Sequence, residues 1–277
     1  MRILVRPPLD EALEELSTAL LQEGHEVRTS ARKFAPDLVV ERYAPGRIAG
    51  AWLARRHGVQ YCVLVDTPPR RSLLERLVWR TASRVLAANA ALRDDVAALG
   101  VETIDVVPGG VVPERFLPAP FAPARASDAV VLGWIGGGQA PATIAAPDLS
   151  LLVIANVLPA RVPDLLAGID IALVAEPSPL RLLDCMAAGR AIVAPDLPQI
   201  RELLEHERTA LLFDPVETNA LARAAARLIA DAPLRIRLGE AARTELEQRD
   251  LSWRSIARRL AERPGALPLD PAKGRGP

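Results

Sequence analysis

Two acidic residues and one arginine surround a sequence that is typical of a helix start. Glu176 and Asp184 are separated by seven residues, and Ser178, Pro179 and Arg181 lie between them. Serine is a favoured N-cap, and proline suits the first helical position because its missing N–H is not needed there. A helix start attracts phosphate through its N–H groups and dipole, and an arginine in the first turn adds a charged donor. Acids flanking a phosphate site suit a ligand that also carries hydroxyls, such as a nucleotide sugar.

The neighbouring residues predict the elements that position this helix start. Residues 170–175 form a short apolar run that fits a buried strand. Residues 180–188 continue in helical character, and Gly189 suits a left-handed C-terminal stop. Residues 191–194 fit the next buried strand. The stretch therefore predicts a strand, a loop, a helix and a second strand.

This stretch resembles the donor-binding motif of glycosyltransferase family 4, which has the GT-B fold. The family shows an acid, seven residues, and then a second acid on a helix that runs into Met-Ala-x-Gly. Here the helix runs into Met-Ala-Ala-Gly at residues 186–189. The resemblance implies that Glu176 approaches the donor sugar, and that Asp184, which replaces the usual glutamate, approaches the ribose hydroxyls. The residues predicted to contact the donor in this stretch are Pro177, Ser178, Pro179, Leu180 and Asp184, and those predicted to be catalytic are Glu176 and Arg181.

An alternative interpretation assigns these charges no role in binding. Arg181 and Asp184 have the i,i+3 spacing of a surface ion pair, and Glu176 would then be a charge in a loop.

Composition limits the class of protein. The 277 residues suffice for two domains, and 50% of them are apolar. The 34 basic and 34 acidic residues cancel, which argues against a nucleic-acid partner. Cys62 and Cys185 lie in apolar surroundings, which predicts buried thiols in a cytosolic protein. We expect neither a signal peptide nor a membrane span.

Strands alternate with helices in both halves, which predicts an α/β protein with two doubly wound domains. The resemblance implies a GT-B fold, in which two Rossmann-like domains face a central cleft. The expected divisions are an acceptor-side domain at 1–115, a proline-rich linker at 116–128, a donor domain at 129–263 and a loose tail at 264–277.

One connection departs from this pattern. Only residues 30–36 separate the strands predicted at 26–29 and 37–41, and a normal parallel crossover needs about a dozen. Either one strand is absent or the connection is unusual.

Loops that follow predicted strands supply further candidates. Asp66 follows the strand at 61–65, in the position where α/β sheets bind ligands, although a turn or cap role is the alternative. The family often carries a histidine in this loop, and none is present here. Gly109 and Gly110 belong to a segment similar to the family's Pro-Asn-Gly turn, which implies a place at the cleft.

A glycine run follows the first strand predicted in the second half. Gly136, Gly137 and Gly138 allow close approach of the backbone to a phosphate or sugar. The family usually continues with an arginine and a lysine that bind the donor diphosphate, but residues 139–143 supply neither. Arg181 would then be the remaining cation for the phosphates.

A basic cluster lies in the helix predicted over 70–82. It indicates contact with an anionic membrane lipid or a phosphorylated acceptor, and the alternative is a solvated helix face partly compensated by Glu75. The basic residues are Arg70, Arg71, Arg76 and Arg80, and the predicted apolar stripe of the same helix is Leu73, Leu74, Leu77 and Val78.

The resemblance and the residues together predict a retaining glycosyltransferase that moves a sugar from a nucleotide diphosphate sugar to a glycan, lipid or small-molecule acceptor. We expect it to need no metal and no cofactor beyond this co-substrate, and to be cytoplasmic or peripheral to the inner face of the membrane. The alternative is a degenerate GT-B relative that binds a nucleotide or a protein partner without turnover. A dinucleotide-dependent dehydrogenase is disfavoured, because no G-x-G-x-x-G follows the first strand of either half.

Overall fold

A computed structural model describes residues 1–32, 34–70, 72–116, 129–137, 150–155, 157–174 and 178–262. The chain forms two compact units. The first contains Met1–Pro108 and the segment from Trp253 onward, and the second contains Gly109–Ser252. Each unit is built on one parallel sheet with interleaved helices, so the predicted α/β fold class is confirmed.

The first unit contains six parallel strands. They are β1 (Arg2–Val5), β2 (Glu26–Arg28), β3 (Leu38–Arg42), β4 (Gln60–Val65), β5 (Arg84–Ala87) and β6 (Ile104–Val106). Its helices are α1 (Glu11–Gln22), α2 (Ala49–His57), α3 (Glu75–Thr81), α4 (Ala90–Ala97) and, last in the chain, α10 (Trp253–Ala261). The strand order is β2-β1-β3-β4-β5-β6. The chain therefore leaves β1 towards one edge of the sheet and leaves β3 towards the other, which places a topological switch point between β1 and β3.

Both strands next to the short connection exist, and the connection is unusual. The described residues between β2 and β3 form no helix. Phe34, which is 7% exposed, packs on the core of the sheet where a crossover helix would otherwise lie. The segment returns to the sheet at Asp37, whose carboxylate accepts the N–H of Arg2 at 2.8 Å.

Helix α3 begins later than the sequence predicts. Ser72 Oγ accepts the N–H of Glu75 at 3.2 Å, so the helix starts at Glu75 and not at residue 70. Leu73 and Leu74 therefore precede the helix, and they are 78% and 61% exposed. The predicted apolar stripe is wrong for these two leucines, whereas Val78 is buried as expected.

The second unit contains the other elements. Its strands are β7 (Val131–Ile135), β8 (Ser150–Ile154), β9 (Ile171–Val174), β10 (Ala191–Pro195) and β11 (Leu211–Phe213). Its helices are α5 (Val162–Ala167), α6 (Pro179–Ala187), α7 (Pro198–Arg201), α8 (Ala220–Ala230) and α9 (Ala232–Gln248). All five strands are parallel, in the order β11-β10-β9-β7-β8.

The core of the second unit lies on both faces of this sheet. Strands β9 and β10 are buried at every residue, as expected for the centre of a parallel sheet. Gly133 allows close packing inside β7, since a Cβ there would lie 2.5 Å from Ile169 Cδ1. The chain leaves β7 towards β8 and leaves β9 towards β10, in opposite directions. The switch point of this sheet therefore lies between β7 and β9.

The sequence predicts a second domain that extends to residue 263. The contacts of the chain instead place its last helix in the first unit. Helix α10 packs in the first unit, where Arg254 and Arg258 lie 3.5 Å and 3.8 Å from Glu23 at the end of α1. The helical periodicity of the sequence identifies the apolar face of α10, but it does not show against which of the two units that face packs. Residues 117–128 of the expected linker and the whole expected tail lie outside the described residues.

Candidate functional site

The candidate site lies at the carboxyl end of β7 and β9, on the switch point of the second unit. Ile135 at the end of β7 pairs with Val174 at the end of β9. Gly136, which follows β7, therefore lies next to the carboxyl end of β9. Crevices of this kind are where open α/β sheets bind their ligands.

Helix α6 begins as the sequence predicts. Ser178 is its extended N-cap residue, with φ −85° and ψ 107°, and Pro179 occupies the first helical position. Ser178 O accepts the N–H of Leu182 at 3.1 Å, which closes the first helical turn. The Ser178 side chain makes no capping hydrogen bond within the described part of the chain, so its hydroxyl is not committed to the helix. The first N–H groups of a helix have no acceptors within the helix, so they are free to bind a ligand at its start.

Arg181 and Asp184 form an ion pair on α6. Arg181 Nη1 donates to Asp184 Oδ2 at 2.8 Å. The two side chains are only 22% and 11% exposed, so the pair exists but does not lie on the open surface, as the alternative interpretation assumed. The pair holds the guanidinium beside the first turn of the helix, where positive charge adds to the field of the helix dipole.

The buried face of α6 carries a thiol next to this acid. Cys185 is fully buried, and burial raises its pKa, with a further increase caused by the neighbouring Asp184 charge. A thiol held in its neutral form is a poor nucleophile, so Cys185 belongs to the core of the unit and not to its chemistry.

The structure also identifies a residue that the sequence did not single out. Arg190 is 1% exposed, in the turn between α6 and β10. Gly189, with φ 62°, ends the helix in the left-handed conformation and directs the chain into this turn. The available signal was a charged residue immediately before a strand that is apolar at every position. Arg190 thus places a buried side chain with a guanidinium group directly after the C-terminal end of α6.

Two glycine turns lie in the same unit as α6. Gly136 has φ 115°, which a side chain would strain, and its N–H donates to Ile154 O at 3.2 Å. Gly109 has φ 137°, and a Cβ there would lie 3.6 Å from Leu183 Cδ1 of α6. Gly110, which follows it, is buried, and Gly137 is partly buried. Gly109 therefore lies against α6, and Gly136 lies against the end of β8.

Three predicted donor-site residues cannot be placed in this geometry. Glu176, Pro177 and Gly138 lie outside the described residues. The described members of the predicted donor site are Gly136, Gly137, Ser178, Pro179, Leu180, Arg181 and Asp184.

Asp66 lies in the first unit and has an arginine partner. Arg42, the last residue of β3, forms ion pairs with both Asp66 and Asp10. Asp10 also caps α1, because its Oδ1 accepts the N–H of Leu13 at 2.9 Å. The switch point of the first unit thus carries an Asp–Arg–Asp cluster. Sequence reasoning missed Arg42, although a charged residue that ends a buried strand was available as a signal.

The described ranges contain neither a metal-binding cluster nor a helix that could span a membrane. No group of three or more His, Cys, Asp or Glu side chains is placed there to hold a metal ion. Within the same residues, every helix is too short or too polar to span a bilayer.

The fold and the site define an α/β protein of two Rossmann-like units, with a helix start suited to anions at the switch point of the second. Residues 115–231 match the family model described as Glycosyl transferases group 1. This match contains α6 and the strands on both sides of it. No curated protein matches the chain in sequence.

Solved structures similar to the chain support the same fold. HepE (Alr3699) of Anabaena, crystallised with UDP, has a TM-score of 0.71 at 17% identity, over 95% of this chain and 99% of that one. A glycosyltransferase from Rickettsia africae has a TM-score of 0.72 at 12% identity, over 94% and 97%. Sucrose-phosphate synthase (tll1590) from Thermosynechococcus elongatus has a TM-score of 0.68 at 14% identity, over 94% and 97%. The predicted GT-B class, with two Rossmann-like units, is confirmed by these likenesses.

Proposed function

We propose that the protein is a glycosyltransferase that transfers a sugar from a nucleotide diphosphate sugar to an acceptor. The observation that carries this proposal is the start of α6 at the switch point between β7 and β9, with Arg181 held beside it by Asp184. The match of residues 115–231 to group 1 glycosyl transferases supports it, because that segment contains the site. Membership of glycosyltransferase family 4 is part of the proposal.

The diphosphate of the donor is proposed to lie at the helix start. The N–H groups after Pro179 and the Arg181 guanidinium provide donors, and the backbone of Gly136 and Gly137 allows a close approach from the neighbouring strand. As the glycosidic bond breaks, negative charge grows on the departing nucleotide diphosphate. Donors already in place stabilise that charge more than they stabilise the bound substrate, which accelerates the reaction.

The finer features of the reaction follow from the resemblance. Glu176 is proposed to approach the donor sugar, Asp184 the ribose hydroxyls, and Asp66 the acceptor. We propose retention of configuration, and also independence of metal and cofactor, because the helix start and Arg181 supply the positive charge. The buried thiols of Cys62 and Cys185 support a cytoplasmic location.

UDP is the first nucleotide to test. HepE of Anabaena was crystallised with UDP, with UDP and glucose, and with UDP-glucose. Its fold covers nearly the whole of this chain, so a UDP-sugar is a reasonable first donor.

A second candidate function is binding of a nucleotide without turnover. The observation that favours it is that both described candidate acids have an arginine partner within the fold, Asp184 with Arg181 and Asp66 with Arg42. A ligand must compete with these ion pairs. Residues 139–143 also lack the cations that the family usually provides.

Donor binding and donor turnover separate the two candidates. Nucleotide sugars, with UDP-sugars first, are screened by thermal shift, and those that bind are tested for slow release of free nucleotide. We expect Glu176→Ala and Arg181→Ala each to reduce this release at least tenfold. Binding by the wild-type protein without any release supports the second candidate, and the absence of binding contradicts both.

A matched control uses another arginine in the same unit. Arg161 and Asp164 also have the i,i+3 spacing, but their side chains are 67% and 77% exposed and 3.8 Å apart. Arg161→Ala removes the same charge from the unit and is expected to leave nucleotide release unchanged. Equal losses in Arg161→Ala and Arg181→Ala contradict the proposed site.

A further inference from the structure

Two consecutive leucines protrude from the first unit just before α3. Leu73 and Leu74 are 78% and 61% exposed. Among the described residues they are the only two adjacent large apolar side chains with such exposure. Single exposed apolar residues are ordinary on protein surfaces, whereas contiguous apolar patches with a polar rim mark interaction sites.

Hydrogen bonds on both sides hold this turn in place. The N–H of Arg70 donates to the Tyr43 hydroxyl at 2.9 Å, before the leucines. Ser72 Oγ accepts the N–H of Glu75 at 3.2 Å, across them. The backbone is thus tied to the unit, and the exposure of the leucines is a property of the folded turn.

The surface beside the leucines is basic. Arg70, Arg76 and Arg80 are exposed, and none of them lies within ion-pair distance of an acid in the part of the chain that the structure describes. The alternative of a solvated helix face includes partial compensation by Glu75, but Glu75 does not lie on that face. Glu75 is 1% exposed and faces inward, where its Oε1 accepts the N–H of Gly46 at 3.1 Å.

We propose that these five residues, the leucine–arginine surface (Arg70, Leu73, Leu74, Arg76 and Arg80), bind an anionic lipid bilayer. The leucines would enter the boundary between headgroups and acyl chains, and the arginines would contact lipid phosphates. Each arginine near such a bilayer raises the partition coefficient about fivefold. The inference goes beyond sugar transfer and does not depend on it.

A bilayer explains both halves of this surface. A small phosphorylated ligand would account for the arginines but would leave the leucines exposed. A symmetric pair of chains would cover the leucines, but it would place three uncompensated arginines against their copies, which is unfavourable. An anionic bilayer offers negative charge and an apolar layer in the same plane.

Vesicle co-sedimentation of the full chain tests the proposal. One set of vesicles contains equal amounts of phosphatidylglycerol and phosphatidylcholine, and the other contains phosphatidylcholine alone. We expect binding to the first set at low salt and little binding to the second. Binding to the first set should weaken at ~0.5 M salt, because salt screens the attraction between the arginines and the lipid phosphates. Absence of binding to the anionic vesicles overturns the proposal.

Two double variants separate the contributions. Leu73→Ser with Leu74→Ser is expected to lower the partition coefficient roughly tenfold or more, because the apolar contribution is lost. Arg76→Gln with Arg80→Gln is expected to lower it about 25-fold, which is two fivefold factors. Matched controls in the second unit are Leu158→Ser, at a single leucine that is 74% exposed, and Arg161→Gln with Arg223→Gln, which removes the same charge. The controls are expected to bind like the wild type.

A small anion or a second copy of the chain at the leucine–arginine surface would give different results in these experiments. If the leucine variant binds as tightly as the wild type, or if millimolar inorganic phosphate displaces the protein, the surface is a general anion site and the bilayer proposal is wrong. If the wild type self-associates in sedimentation and the leucine variant does not, the occupant is a second copy of the chain. Nucleotide release measured without lipid reports on sugar transfer separately, so the failure of one proposal is distinct from the failure of the other.

Discussion

Arg181 Nη1 lies 2.8 Å from Asp184 Oδ2 on the same face of α6, and the Asp184 side chain is only 11% exposed. The two residues that the sequence indicates for donor binding are therefore also bound to each other. Any substitution at one of them alters the electrostatic environment of the other. Stability and ligand effects must then be measured together to assign either residue a role.

Removal of Arg181 is expected to destabilise the fold as well as the site. Arg181→Ala leaves the largely buried Asp184 carboxylate without this partner, which costs about 1–3 kcal/mol. Urea unfolding at pH 7 measures the free energy. The double variant with Asp184→Asn should lose less than the sum of the two single changes, because the amide carries no charge. If the stability lost in Arg181→Ala is recovered in the double variant but nucleotide release is not, the loss of release is not a consequence of the lost stability. If the stability lost in the double variant equals the sum of the losses in the two single variants, Arg181 and Asp184 are not energetically coupled.

Gly133→Ala is expected to destabilise the second unit. The new Cβ would lie 2.5 Å from Ile169 Cδ1 inside a closely packed core, and such overpacking costs about 1–3 kcal/mol. Ile169→Val removes the Cδ1 atom and should recover part of the loss in the double variant. Thermal and urea unfolding measure both. A double variant as unstable as the sum of the single ones would show that the contact with Ile169 is not the cause.

The two buried thiols are expected to make the fold less stable in alkali. Burial raises the pKa of Cys62 to about 12 from an ordinary value of 9.0, and it raises the pKa of Cys185 as well. Above pH 9 the unfolded chain releases thiol protons that the folded chain keeps, so the free energy of unfolding falls as pH rises. The slope is about 1.4 kcal/mol per pH unit for each thiol, up to the folded pKa.

Unfolding curves at pH 8, 9 and 10 test this dependence. Cys62→Ala removes one thiol and should reduce the slope by about one thiol's contribution, whatever its effect on stability at pH 8. The same slope in the variant and the wild type contradicts the assignment.

A buried carboxylate in the first unit depends on a tyrosine. Tyr61 donates its hydroxyl to Glu41 Oε2 at 2.8 Å, and Glu41 is 1% exposed. Tyr61→Phe should cost about 1–3 kcal/mol, because a bond to a buried charged group is lost. Urea unfolding of Tyr61→Phe and the wild type measures this loss. A loss below about 0.5 kcal/mol, the smallest contribution of an ordinary hydrogen bond, contradicts the prediction.

The second unit follows the sequence closely where the information is local. Ser178, Pro179 and Gly189 specify the start and end of α6 through their own backbone preferences. The all-apolar runs on either side of that helix specify β9 and β10, because strands in a parallel sheet are buried on both faces. These features need no knowledge of distant residues.

The first unit shows where local patterns fail. Leu73 and Leu74 have helical spacing with Leu77 and Val78, but the helix begins after them, since Ser72 accepts the N–H of Glu75. Glu75 also lies in a basic segment, yet it faces inward to Gly46, which is 29 residues away in the chain. Sequence spacing cannot show which side of a turn faces the solvent.

Local sequence specifies the α/β class, the start of α6 and the i,i+3 spacing of Arg181 and Asp184, since each depends on the conformational preferences of neighbouring residues. Tertiary contacts specify that this ion pair is shielded, that Arg42 joins Asp10 to Asp66, and that α10 packs on α1. The second group depends on which distant surfaces meet, and that is decided by burial of apolar faces and pairing of charges across the whole unit.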